Sequence, residues 1–224
     1  MQYAEIIKKL KSLVNPKNVA GMARFGINSK NTLGVSIPKL RTLAKKIGKN
    51  RKLAQKLWDS KIHEARILAG MVDDVAQVTE KQMDKWVRDF DSWDVCDQVC
   101  MNLFRYTKEA PKKCFEWSKN RSEFIKRAGF ALMASLAFAK NEMSDAEFKK
   151  FMPIIKRESA DERNYVKKAV NWALRQIGKR NKNLNKEAIK VAREILKIDS
   201  KAAKWIAKDA IRELTSLAVQ ERLK

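Results

Sequence analysis

An all-α protein of stacked helix pairs is what this sequence predicts, on three observations. Apolar residues recur at helical spacing nearly everywhere along the chain. Almost no run of β-branched residues alternates in a strand pattern. The four prolines, Pro16, Pro38, Pro111 and Pro153, each stand where a helix can begin.

The elements follow in order. Ile6, Leu10 and Leu13 open an amphipathic stripe, which Asn15-Pro16 ends. An irregular stretch runs from Asn28 to Pro38, the longest near the N-terminus. Leu40, Leu43, Ala44 and Ile47 make the next stripe, then Leu53, Leu57 and Trp58, then Ile67, Met71 and Val75. Gly48-Lys49-Asn50, Ala110-Pro111 and Gly178-Lys179-Arg180-Asn181 punctuate helices of about 10–18 residues, as stacked helix pairs require.

A repeat is visible in the second half. Lys126-Arg127-Ala128, Lys167-Lys168-Ala169 and Lys208-Asp209-Ala210 follow one another at intervals of 41 residues. A period near 40 in a helical chain falls in the range of HEAT and armadillo arrays. A helix pair cannot bury its apolar face alone, so neighbours stack into an α-α superhelix with a concave face. The expectation is one such domain over residues 1–224. The first half shows helix pairs without a clean copy of the triplet.

Charge narrows the partners. Lysine and arginine total 49 against 26 acidic residues, a formal charge of +23. That surplus points first to nucleic acid on a basic concave face, and second to an anionic membrane surface. No apolar run approaches the length of a membrane span and no signal peptide is visible, so a cytoplasmic protein is expected. Cys96, Cys100 and Cys114 suit a reducing compartment and read as small buried apolar residues. The only histidine, His63, is remote from them, so no metal site is expected. No glycine-rich phosphate loop is present, and no cofactor is expected.

Asp91-Ser92-Trp93-Asp94-Val95-Cys96-Asp97 carries the clearest chemical signal. On a helix begun by Asp91 or Ser92 as cap, Trp93 and Asp97 stand one turn apart. They offer one target an aromatic face and a carboxylate, or they serve the core and an ion pair; Asp94 competes for any acidic role. Trp172 is bordered by Lys168 four residues before and Arg175 three after, a grouping suited to sugar-phosphate. It also suits a tryptophan at the edge of a core, covered by lysine stems. Arg127, beside Lys126, is a bidentate phosphate ligand or a rung between repeats. Lys179-Arg180-Asn181-Lys182-Asn183 is a basic loop that touches phosphate or, as charge runs more often do, makes a solvated turn.

Five segments, in order over nearly the whole chain, carry a resemblance. They are Met22-Ala23-Arg24-Phe25, Leu33 to Arg41, Ser92 to Asp97, Lys126-Arg127-Ala128, and Lys167 to Arg175. Together they resemble the DNA alkylation repair family of AlkD-type, HEAT-like-repeat alkylpurine DNA glycosylases. The resemblance implies hydrolytic removal of N3- and N7-alkylated purines from duplex DNA by a monomer without cofactor. It implies catalytic roles for Asp97, Trp93 and Trp172. DNA contacts would come from Arg127, Arg175, Lys168, Arg41, Lys126 and Phe25. Phe25 stands where the best-known members carry a tyrosine, and Gly129 to Ser135 lacks a basic residue expected on that helix. Some relatives of this fold bind DNA with little glycosylase activity, so a non-catalytic DNA-structure-binding module is the alternative.

Overall fold

A computed structural model describes residues 1–139 and 142–223. Among them every regular element is helical, and the helices fall into two compact units, residues 1–107 and 108–224. The first unit holds α1 (Tyr3–Lys11), α2 (Pro16–Arg24), α3 (Ile37–Ile47), α4 (Arg51–Asp59), α5 (His63–Val72), α6 (Glu80–Arg88) and α7 (Trp93–Asn102). Short 3-10 turns at Val75–Gln77 and Phe104–Tyr106 follow α5 and α7. Val75, the last residue of the predicted fourth stripe, therefore lies just beyond its helix.

The starts of these helices are chemically specified. Pro16 occupies the first turn of α2, where its missing N–H costs nothing, and Pro38 does the same in α3. The side chains of Asn15, Asn50 and Thr79 accept from backbone N–H groups at the starts of α2, α4 and α6. Ser92 holds the cap position of α7, but its hydroxyl donates to Asp94 instead of capping.

In this unit α5 packs against α3, α4 and α7. Every residue of α5 except Met71 is buried. Trp58 of α4 and Trp86 of α6 stack in parallel with ring centroids 4.0 Å apart, and Trp58 Nε1 donates to Asp89 at 2.8 Å. Large aromatic pairs of this kind add about 0.5–1.5 kcal/mol beyond their burial.

The second unit holds α8 (Ala110–Trp117), α9 (Glu123–Phe138), α10 (Asp145–Lys149), α11 (Met152–Glu158), α12 (Asn164–Gly178), α13 (Lys182–Leu196), α14 (Lys201–Leu214) and α15 (Leu217–Arg222). Here α12 packs between α9 and α14. The alanines that close the three 41-spaced triplets, Ala128, Ala169 and Ala210, are all fully buried on these helices. Small residues at one register let neighbouring helices approach closely. Gly129 shows the same constraint: a Cβ there would lie 2.6 Å from the Ser118 backbone nitrogen. The whole stretch from Gly129 to Ser135 is buried, which explains why it carries no basic residue.

Rungs of hydrogen bonds cross from repeat to repeat. Arg127 Nη1 donates to the Tyr165 carbonyl at 2.7 Å, and Asn171 donates to Asp209 at 2.7 Å. Arg175 pairs with Glu213 and, at 3.5 Å, with Asp209.

Candidate nucleic-acid site

In the first unit the site is built on α7. Trp93 is its first residue and Asp97 follows one turn later. The Trp93 ring is half-buried, and its Nε1 donates to the Phe25 carbonyl at 3.1 Å. Phe25 itself is 73% exposed, at the end of α2. Asp97 is buried, only 8% exposed.

The loop from Phe25 to Ser36 is pinned from several sides. Glu64, buried on α5, accepts from three successive backbone amides: Leu33 at 2.9 Å, Gly34 at 2.6 Å and Val35 at 3.2 Å. The Asn31 carbonyl accepts from the His63 amide at 3.0 Å, and Asn28 donates to Asp91 at 3.0 Å. Gly34 is required here: its φ is +77°, and a Cβ would sit 2.4 Å from the Asn15 carbonyl oxygen. The loop is thereby a fixed wall.

A cavity of about 750 Å³ opens between this loop, α2, α5 and α7. Phe25 and Trp93 stand at it with Lys17 and Arg24, both exposed. Asp94 and Gln98 line it from α7, whereas Asp97 does not. Asp94 is committed to His63, holding its Nε2 at 2.8 Å with both side chains largely buried. Burial disfavours charge on His63, but the hydrogen bond and charge of Asp94, with Glu64 and Asp91 nearby, outweigh it and raise its pKa. Burial likewise pushes the Asp94 carboxyl up, yet the His63 contact and the bonds from Ser92 and Val95 leave it below the ordinary value.

In the second unit Trp172 is half-buried on α12, its ring 6.3 Å from that of Phe138 at a 30° tilt. With the Gln176 amide turned so that its oxygen accepts, Trp172 Nε1 and Lys179 Nζ each donate to it at 3.2 Å. Lys168 is exposed on the same helix. Arg127 is 6% exposed and engaged with the Tyr165 carbonyl, and Arg175 is half-buried among carboxylates. Lys126 is also committed, to Glu158 at 2.5 Å and Asp161 at 3.2 Å. Of the six residues expected to contact DNA, Arg41, Lys168 and Phe25 are exposed. The other three are tied into the fold.

The structure brings Phe25 and Trp93 together in the first unit. In the second it places Lys168, Trp172 and Arg175 on one helix. Sequence reading passed over Glu64 and the His63–Asp94 pair. A carboxylate and an imidazole within a helix otherwise rich in apolar residues were the available signal. The three cysteines are buried and form no disulfide among the described residues, and burial holds the Cys114 thiol well above its ordinary pKa. Among the described residues no cluster of His, Cys, Asp or Glu could hold a metal ion, and no helix is long and apolar enough to cross a membrane.

A family model described as DNA alkylation repair enzyme matches residues 6–214. One similar solved structure is described as "a new family of proteins related to the HEAT-like repeat DNA glycosylases with affinity for branched DNA structures". It shares 20% identity over 95% of each chain, with a TM-score of 0.80, a likeness that establishes the HEAT-like-repeat fold. A designed armadillo repeat protein in complex with a (KR)4 peptide is 14% identical over 82% of this chain and 88% of its own, with a TM-score of 0.40. No curated protein sequence matches this one. The match over residues 6–214, on a fold of HEAT-like helical repeats, shows that this chain belongs to the DNA alkylation repair enzyme family.

Proposed function

We propose that the chain is a monofunctional DNA glycosylase. It hydrolyses the N-glycosidic bond of cationic N3- and N7-alkylated purines in duplex DNA, leaving an abasic site. What carries the reading is the pairing of Trp93 and Asp97 on successive turns of α7, within a chain of this family. The Phe25 carbonyl fixes the Trp93 ring.

The chemistry needs residues of these types. An alkylated purine already carries positive charge and leaves without an acid to protonate it. As the bond breaks, its electron pair neutralises the purine and the sugar becomes oxocarbenium-like. The Asp97 carboxylate stabilises that charge and orients the water, whose oxygen joins the anomeric carbon as one of its protons passes to solvent. A tryptophan face favours the cationic sugar in the same way as a cation–π contact, the role proposed for Trp93 on its own unit and, by resemblance alone, for Trp172 on the other. Arg127 and Arg175 contribute by holding the repeats that carry Trp172, and Lys168 and Arg41 reach phosphate directly. No lysine is assigned as a nucleophile, so the strand is not cut.

A second reading is a non-catalytic module that binds DNA of unusual structure. The described affinity of the similar solved protein and the low exposure of Asp97 favour it. Release of 7-methylguanine and 3-methyladenine from methylated duplex DNA separates the two. Asp97→Asn is expected to lower excision by about 10²–10³, the scale for a lost electrostatic stabiliser, while DNA binding persists. No release by the wild type, with salt-sensitive binding retained, would establish the binding module instead.

A further inference from the structure

The stripe Ile67, Met71 and Val75 does more than fill a core. Ile67 lies at the Trp93–Phe25 cavity, while Met71, one turn on, and Val75, in the 3-10 turn after α5, line a second cavity of about 630 Å³. Residues of α7 step the same way: Gln98 lines the first cavity and Asn102 the second. The two cavities therefore follow one another along α5 and α7, inside one compact unit.

The second cavity has its own chemistry. Arg41 and Lys45 edge it from α3, one helical turn or about 6 Å apart. Both are exposed. Lys49 follows beyond the end of α3, its Nζ donating to the Met71 carbonyl at 3.0 Å. Among the described residues no carboxylate lines this cavity. Asp74, the acid near Lys49, is already occupied by Gln77 and the Ala76 amide.

Tyr106 forms the far wall and is 56% exposed. The Arg105 guanidinium sits 4.6 Å from the centre of its ring and donates to its hydroxyl. That guanidinium backs one side of the ring and holds the tyrosine in place at the rim. Exposed cations with no carboxylate beside them among the described lining residues, an apolar floor and a backed aromatic ring are the components of a site for single-stranded nucleic acid. A fully paired duplex offers phosphates to the cations but no free base face to the ring. An acidic peptide would use the cations and leave the ring idle.

We propose that this second cavity holds an unpaired DNA strand, with phosphates on Arg41 and Lys45 and a base stacked on Tyr106. It rests on the DNA-binding reading above and adds a contact that separates frayed or armed DNA from blunt duplex. The strand that passes Trp93 and Phe25 continues along α5 to reach it.

The test is fluorescence anisotropy on unmodified DNA, comparing a blunt duplex with the same duplex carrying a short 3′ or 5′ single-stranded arm. Wild type is expected to bind one armed form at least about five-fold more tightly, the lower end for one stacked base. Tyr106→Ala should bring the ratio of the two affinities close to one, and Tyr106→Phe should keep it. Arg41→Ala with Lys45→Ala should flatten the salt dependence for armed DNA, by about 0.7 in slope per lost contact.

A 2-aminopurine in the arm supplies a second readout. Its emission should change on binding to wild type and to Tyr106→Phe, and this holds the test open should Tyr106→Ala misfold. Equal affinity of wild type for armed and blunt DNA would overturn the proposal, as would a ratio retained by folded Tyr106→Ala. So would displacement by poly-glutamate without any preference for an arm. Because no lesion is present, a failure to excise bases leaves this result untouched.

Discussion

Removing the Glu64 carboxylate tests whether the wall of the Trp93–Phe25 cavity is fixed as its hydrogen bonds imply. One Glu64 oxygen accepts from Gly34 and Val35, both buried, and the other accepts from Leu33, which is half-buried. A buried donor left without a partner costs about 1–3 kcal/mol. Glu64→Ala strands the two buried amides and should therefore cost roughly 2–6 kcal/mol, with the Leu33 amide partly rescued by water. Glu64→Gln keeps one accepting oxygen for the buried pair, loses the charge and turns an amide N–H toward Leu33. Its cost should be smaller, roughly 1–3 kcal/mol. For a chain of this size about 1 kcal/mol corresponds to about 2–4 °C in melting temperature. Thermal melts should then rank wild type above Glu64→Gln and Glu64→Ala lowest. Limited proteolysis should cut the Asn28–Ser36 loop in the same rank order. Two variants within about 0.5 kcal/mol of wild type, or a Gln variant as damaged as the Ala variant, would refute the account of the loop.

The buried His63–Asp94 pair makes stability depend on pH with a definite sign. The His63 share, from a raised pKa, is fully present below about pH 6.5 and is lost as pH rises through its higher folded pKa. The Asp94 share, from a lowered pKa, is present above the unfolded value and is lost as pH falls through the lower folded one. Urea midpoints should fall more between mildly acid and alkaline buffer for wild type than for His63→Gln; equal falls would count against the pairing. In the second unit, Gly129→Ala should destabilise by about 1–3 kcal/mol through overpacking against the rigid Ser118 backbone. A melt unchanged from wild type would mean that α8 and α9 separate more easily than their contact suggests.

How much of this was legible in the sequence differs between the halves. Helix starts at all four prolines follow from chemistry that is local to the residue, and each is where it was expected. The 41-residue triplets were legible because α9 and α12 begin 41 residues apart, at positions 123 and 164, and bury alanine at one register. In the first half α5 and α7 begin only 30 residues apart, at positions 63 and 93. Its rungs accordingly join residues 31 apart, such as His63 to Asp94 and Trp58 to Asp89, instead of 38 as between Arg127 and Tyr165. One period cannot describe both halves, so the triplet had no upstream copy to find. Glu64 was illegible for another reason. Its partners are backbone amides of a distant loop, which leave no mark in side-chain pattern.

The rungs also decide how the surplus of 23 positive charges is used. A cation that meets phosphate must be free of carboxylates, because replacing an existing ion pair gains little and leaves a buried acid behind. Lys126 is held by two carboxylates with less than a sixth of its side chain exposed, and Arg175 is held by Asp209 and Glu213. These residues look like DNA ligands in sequence because basic side chains on helices serve both purposes with the same spacing. Arg41, Lys45 and Lys168 are exposed instead, on helices whose opposite faces are buried. Counterion release, and with it the salt dependence of binding, depends on such residues. Truncating Arg175 removes the ion pairs that join α12 to α14, and truncating Lys126 those that join α9 to Glu158 of α11 and to Asp161. On the DNA-binding reading proposed above, charge count alone overstates the surface free to meet phosphate, and carboxylate-free exposure is the property that identifies it.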